Sequence, residues 1–193
     1  LPAPNELTER LASVLEVIYL IFNEGHSATA GDDWMRPALC EEALRLGRIL
    51  AGLLPRESEV HGLVALLEIQ ASRIPARTGP AGEPILLPDQ DRSRWDRLLV
   101  RRGLAALDRA EELSAGPGGT VGPYLLQAAI AACHARAAST ADTARCSVAF
   151  RRRRASWRSR LACSPSSRIR VSSSRPAVPR RGLRACATNW SFL

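Results

Sequence analysis

The stretch PALCEEALRLGRILAGLLP, residues 37–55, sets Leu39, Ala43, Leu46, Leu50 and Leu54 at spacings of four, three, four and four. That rhythm winds one apolar face around a 3.6-residue turn and identifies an amphipathic α-helix. Pro37 suits its first turn, where a missing amide hydrogen leaves no bond unmade, and Pro55 ends it. Ser58 then stands as the expected cap of a following helix with Val60, Leu63, Leu67, Ala71 and Ile74 on one side. A connection of only about four residues forces the two helices antiparallel, so the pair reads as a helical hairpin.

Outward from this hairpin the same grammar continues. Residues 5–24 predict an earlier helix, with Asn5 at its cap, Glu6 and Glu9 at its positive end, and Leu7, Leu11, Val14, Ile18 and Ile21 along one stripe. Asn23, Glu24 and Gly25 are expected to stop it, the glycine taking a left-handed turn. Residues 26–36 read as a polar loop. Downstream, prolines 75, 80, 84 and 88 with Gly79 and Gly82 break the helical pattern, and residues 83–87 read as a short extended arm or one side of a hairpin. A fourth helix is expected over residues 91–113, burying Trp95, Leu99, Ala106, Ala110 and Leu113. Gly122 and Pro123 open a fifth over residues 124–138, whose many alanines imply close helix–helix approach. The fold class is therefore all-α, with hairpins recurring about 60 residues apart, longer than the ~34-residue tetratricopeptide period because of the proline-rich arm.

Charge divides the chain in two. Its formal net charge is +8, yet all 19 acidic residues lie at or before Asp142, where they outweigh 14 arginines to leave −5. Residues 143–193 carry 13 arginines and no acid, include the run Arg-Arg-Arg-Arg at 151–154, and show no apolar stripe. A segment with so little surface to bury cannot offset its ordering entropy, so this part is expected to be a disordered tail. Two readings of it are open: a sequence-blind grip on phosphate backbones, with Trp157 and Trp190 stacking on bases, or the out-of-frame reading of a GC-rich gene. The abrupt loss of acid and of periodicity favours the second. The organisation is thus a helical body, 1–142, and a basic low-complexity tail, 143–193.

Several chemistries fall away. Lysine is absent, which removes Schiff-base catalysis and a Walker A phosphate loop. The five cysteines, at 40, 133, 146, 163 and 186, are odd in number and without a CxxC pair, arguing against a disulfide framework or a zinc knuckle and for reduced thiols in the cytoplasm. The longest apolar run, Val17 to Phe22, is far too short to span a membrane. No secretory signal is evident, and the first residue, Leu1 in place of Met, suggests a fragment or a truncated start. In DQDRSRWD, residues 89–96, Asp89 and Asp91 offer oxygen ligands, but too few for a calcium loop. The structural alternative has Asp91 or Ser93 capping the fourth helix, Asp89 paired with Arg92 or Arg94, and Trp95 plugging the core. Cys133 and His134 are adjacent on one helix and so point about 100° apart, unlike a nucleophile and its base. No catalytic residue, cofactor or metal is expected.

Four segments carry a resemblance: ELTERLASVLEVIYLIFNEG (6–25), ALCEEALRLGRILAGLLP (38–55), ARTGPAGEPILLPDQDRSRWD (76–96) and GPYLLQAAIAACHA (122–135). They resemble the C-terminal extension of a subgroup of bacterial extracytoplasmic-function RNA polymerase sigma factors, in which sigma regions 2 and 4 precede a helical domain of tetratricopeptide character. The resemblance covers residues 4–143 and implies a right-handed, tetratricopeptide-like array. Its motif positions here are Asn23, Glu24, Gly25, Asp89, Gln90, Asp91, Arg92, Ser93, Arg94, Trp95, Gln127 and His134, and their expected role is structural. The promoter-reading regions 2 and 4 have no counterpart in this sequence. What the resemblance implies is a cytoplasmic regulatory domain acting in transcription initiation. Its partners would be sigma regions 2 and 4 and, through them, core polymerase, or another protein on the helical surface; DNA would be touched only weakly, through the tail. The competing classes are a free-standing helical scaffold and a nucleic-acid binder acting through its arginines.

Overall fold

The computed structural model describes residues 4–29, 34–116, 121–137 and 142, with the side chains of residues 4–9 outside that description. The expected tail, residues 143–193, and the capping role of Asn5 therefore lie outside the described residues, as does the side chain of Leu7. Five α-helices form: α1 (Pro4–His26), α2 (Pro37–Leu53), α3 (Ser58–Ala71), α4 (Arg97–Ala115) and α5 (Pro123–Arg136). There is no strand among the described residues, so the all-α expectation holds. The proline-rich arm makes a tight hairpin: Ile85 N donates to Arg77 O at 2.7 Å and Gly79 N to Glu83 O at 2.8 Å, around Gly82 at φ +86°. A left-handed φ of that kind is one glycine adopts without strain.

The organising element is α3. Expectation gave it one apolar face, but it is buried on all sides, with Val60, Leu63 and Leu67 in one cluster and Ala65, Leu66 and Ile69 in another. The first cluster adds Leu15, Ile18 and Phe22 of α1 and Cys40, Ala43 and Leu44 of α2. The second adds Leu107 and Ala110 of α4 and Leu125, Ala128 and Ala132 of α5. A helix apolar all round is one that other helices enclose, and here four of them do so. Close approach is written into glycine positions: a Cβ on Gly62 would fall 2.7 Å from Leu125 N, and one on Gly103 2.7 Å from Ile69 Cγ1. Glu59, in the first turn of α3, accepts from Tyr124 N at 3.0 Å and Leu125 N at 3.1 Å, satisfying the orphan amides at the start of α5. On the far side, the Tyr19 hydroxyl of α1 donates to Gln127 Oε1 of α5 at 3.2 Å, and the Tyr19 and Tyr124 rings meet edge to face.

Several local expectations are corrected. Helix α1 does not stop at Asn23-Glu24-Gly25 but runs through them to His26. Gly25 is required there by packing, since a Cβ would stand 2.7 Å from Cys40 N and 2.9 Å from Arg36 O. Val14 faces solvent at 44% exposure, because the buried stripe of α1 is Leu15, Ile18 and Phe22. Ser58 is the first helical residue and not the cap, a position that Glu57 takes in extended conformation without a side-chain cap bond. Helix α4 begins at Arg97, capped by Asp96, whose carboxylate accepts from Leu98 N and Leu99 N at 2.8 and 3.0 Å. Asp91 caps a separate 3-10 turn, Arg92–Arg94, instead.

Candidate functional site

The four motif segments are far apart in sequence, and three of them meet at one end of the bundle. Helix α1 delivers Glu24 and His26 there. Glu24 accepts from Thr29 and from Arg36 Nη1, the latter at 3.1 Å, and these partners hold its carboxyl below the usual range. The His26 ring stacks on Phe22 at 5.5 Å, with its Nε2 buried and without a hydrogen-bond partner. Burial, with the Arg77 and Arg73 charges beside it, holds His26 well below its ordinary pKa and therefore neutral.

The chain leaving α3 supplies the centre of this end. Arg73 is 4% exposed and its guanidinium binds the Gln70 side chain, while its Nε has no partner. Burial, followed by the like charges of Arg77 and Arg92, brings Arg73 down to about 9. Arg77 is also buried, lies 5.1 Å above the Trp34 ring and donates to His26 O. Burial pulls it to about 10. No carboxylate pairs with either guanidinium among the described residues.

The DQDRSRWD segment closes the centre from the other side. Trp95 is buried, as expected, but between charges instead of leucines: its ring centre lies 4.9 Å from the Arg92 guanidinium and 6.0 Å from that of Arg73. Arg92 also donates to His134 O and Ala137 O, both at 2.7 Å, so it ties this segment to the end of α5. His134 is lowered by burial and by Arg73 and Arg92. Gln90 donates to Ile85 O at 3.1 Å, fixing the arm. Asp91 accepts from the Ser93 amide and hydroxyl. Asp89 and Arg94 are exposed, and the expected pairing of Asp89 with Arg92 or Arg94 does not form. Asn23 contributes only its carbonyl, which accepts from Ser27 N at 2.8 Å. Gln127 lies elsewhere, beside Tyr19.

A cleft of about 590 Å³ opens here, lined by Arg92, Trp95, Arg97, Val100, Arg101, Ala135 and Ala137. Sequence reasoning missed Arg73, Arg77, Arg97 and Arg101, because the composition of an arginine-rich chain does not say which arginines are inside. Cys133 is buried, its thiol donating to Ala129 O at 3.4 Å. Among the described residues there is no group of three or more His, Cys, Asp or Glu side chains placed to hold a metal, and no helix long and apolar enough to cross a membrane.

The chain is 47% identical over 136 residues to an uncharacterised protein of Rhizobium meliloti (strain 1021), a stretch that is 70% of this chain and 31% of that protein. The chain thus spans about a third of the length of the curated relative it matches. No solved structure matches it. Residues 10–111, from α1 into α4, match a family described as a family of unknown function, DUF6596, and it is to that family that the chain belongs.

Proposed function

We propose that the chain is the helical extension of an extracytoplasmic-function sigma factor, a regulatory appendage that works by protein–protein contact in transcription initiation and performs no catalysis. The observation that carries this reading is the meeting of the family-like segments: those at 6–25, 76–96 and 122–135 pack around Trp95 and the buried arginines, at one end of a single helical unit. In this reading α2 with α3 and α4 with α5 are successive hairpins of a right-handed, tetratricopeptide-like array, a rigid platform for another chain. Two features support contact with protein over nucleic acid: the −5 charge of residues 1–142, and an apolar stripe on α1 with Val14, Val17 and Leu20 all exposed. The setting is the cytoplasm, with sigma regions 2 and 4 as partners.

The test pairs a pull-down with a gel shift. The full chain should retain purified sigma regions 2 and 4 from a sigma factor bearing this extension, at physiological salt. Residues 1–142 should not bind promoter DNA. The full chain should bind it only through its arginines, and that binding should vanish between about 50 and 200 mM salt as counterion release requires. A specific shift of promoter DNA by residues 1–142 at physiological salt would assign DNA reading to the helices themselves and overturn the proposal.

A further inference from the structure

The arginine-rich end of the bundle carries buried positive charge that no carboxylate among the described residues accompanies. Arg73, Arg77 and Arg92 cluster around Trp34 and Trp95, and the cleft beside them adds Arg97 and Arg101. None of these five guanidiniums forms an ion pair with a carboxylate among the described residues. Elsewhere the molecule does pair such groups: Glu24 meets Arg36, Glu68 meets Arg48 and Arg102, and Asp108 meets Arg136. A buried charge is costly unless an opposite charge accompanies it, so an uncompensated buried cationic centre is one half of an interaction. The donors left over point the same way, since Arg73 Nε and the Trp95 indole Nε1 are both buried and unpartnered. The missing anion does not come from the tail, because residues 143–193 contain no acid.

We propose that Arg92, Trp95, Arg97 and Arg101, backed by the buried Arg73, form a receptor for an organic carboxylate taken up through the cleft between the start of α4 and the end of α5. Guanidinium groups match a carboxylate with two parallel N–H···O bonds, and their planar form lets them remain stacked on an indole while they do so. The cleft walls decide between classes of anion. Val100, Ala135, Ala137 and the Trp95 ring offer apolar surface that an inorganic phosphate leaves unused and that an organic acid covers. The carboxylate has two sources, a free small acid or the Asp or Glu side chain of a segment from another protein, and both present the same group to the arginines. This assignment stands whether or not the chain serves a sigma factor.

The test is thermal unfolding and calorimetric titration of the full chain in low-salt, carboxylate-free buffer. The probes are benzoate, the tetrapeptide acetyl-Leu-Glu-Leu-Leu-amide and inorganic phosphate. Benzoate or the peptide should bind saturably and raise the melting temperature, and whichever acts at the lower concentration identifies the source. Arg101→Gln, on an exposed position at the cleft rim, should weaken that binding about tenfold with the ligand-free melting temperature unchanged. Arg73→Met should weaken it as well, and without ligand should melt no lower than the parent, because it removes an uncompensated charge and keeps the volume. Binding through tail arginines responds to neither substitution. Three results each overturn the proposal: no carboxylate stabilising more than equal chloride, stabilisation by phosphate alone, or carboxylate binding that both variants leave intact.

Discussion

Glu68 and Arg73 are five residues apart, both almost fully buried, and the molecule treats them in opposite ways. Glu68, 2% exposed, faces α2 and α4 and receives Arg48 Nε at 2.9 Å and Arg102 Nε at 3.4 Å. Arg73, 4% exposed, faces Arg77, Arg92 and Trp95 and receives no carboxylate among the described residues. The first is a charge-paired arrangement in which Oε1 fastens two helices to the central one, Oε2 staying buried without a hydrogen bond. The second is open. Buried charge in one protein can therefore mean architecture or availability, and the partners distinguish the two.

The largest effect that sharpens this contrast belongs to Glu68. Glu68→Ala strips α2 and α4 of their common partner and leaves a cavity at the centre of the bundle, and it should cost about 3 kcal/mol in denaturant unfolding. A loss below about 1 kcal/mol would mean that the charge-paired arrangement contributes no more than a surface pair.

What the sequence shows of these two sites differs as sharply. Glu68 sits in VHGLVALLEIQA, a stretch apolar on every side, so its burial follows from the same reasoning that encloses α3. Of the expected face, Val60, Leu63, Leu67 and Ala71 are buried, Ile74 lies half-buried in a 3-10 turn beyond the helix, and Val64, Leu66 and Ile69 of the same apolar run are buried on the remaining face. Arg73 gives no such signal. Arginine is ordinarily a surface residue, and its burial arises only when segments 6–25, 76–96 and 122–135 converge, which is a tertiary event. The same holds for DQDRSRWD: it contains three aspartates able to cap a helix, and only the geometry of the 3-10 turn assigns Asp91 to that turn and Asp96 to α4.

A second effect comes from pH. His26 adjoins the open site, and its folded pKa is depressed, so the unfolded chain binds the extra proton. The stabilising contribution is complete above about pH 6.5, the unperturbed value, and is lost as pH falls below it. The slope for one such proton is at most about 1.4 kcal/mol per pH unit. His26→Phe, which keeps the stack on Phe22, should flatten the stability curve between pH 6.5 and 5. An unchanged slope would place the acid sensitivity elsewhere.

The smallest effect concerns the start of α4, which orients Arg97 and Arg101 toward the cleft. Asp96→Ala removes bonds to two orphan amides and should cost about 1 kcal/mol in thermal unfolding. It should also loosen carboxylate binding, by less than Arg101→Gln does. If Asp96→Ala abolishes binding altogether while the fold persists, the receptor is built on helix geometry more than on the charges themselves.

The enclosure of α3 has a consequence for synthesis. A chain emerging from the ribosome completes α3 at Ala71, with α1 and α2 at hand to cover Val60, Leu63 and Leu67. Leu66, Ile69 and Ala65 have only part of their cover when α4 ends at Ala115 and the rest when α5 ends at Arg136, and α5 in turn begins on the carboxylate of Glu59. For that interval the nascent chain displays an apolar helix flank to solvent, a surface of the sort chaperones hold. The bundle is thus closed only by its last helix, and any nascent chain halted before α5 leaves one flank of its own axle uncovered.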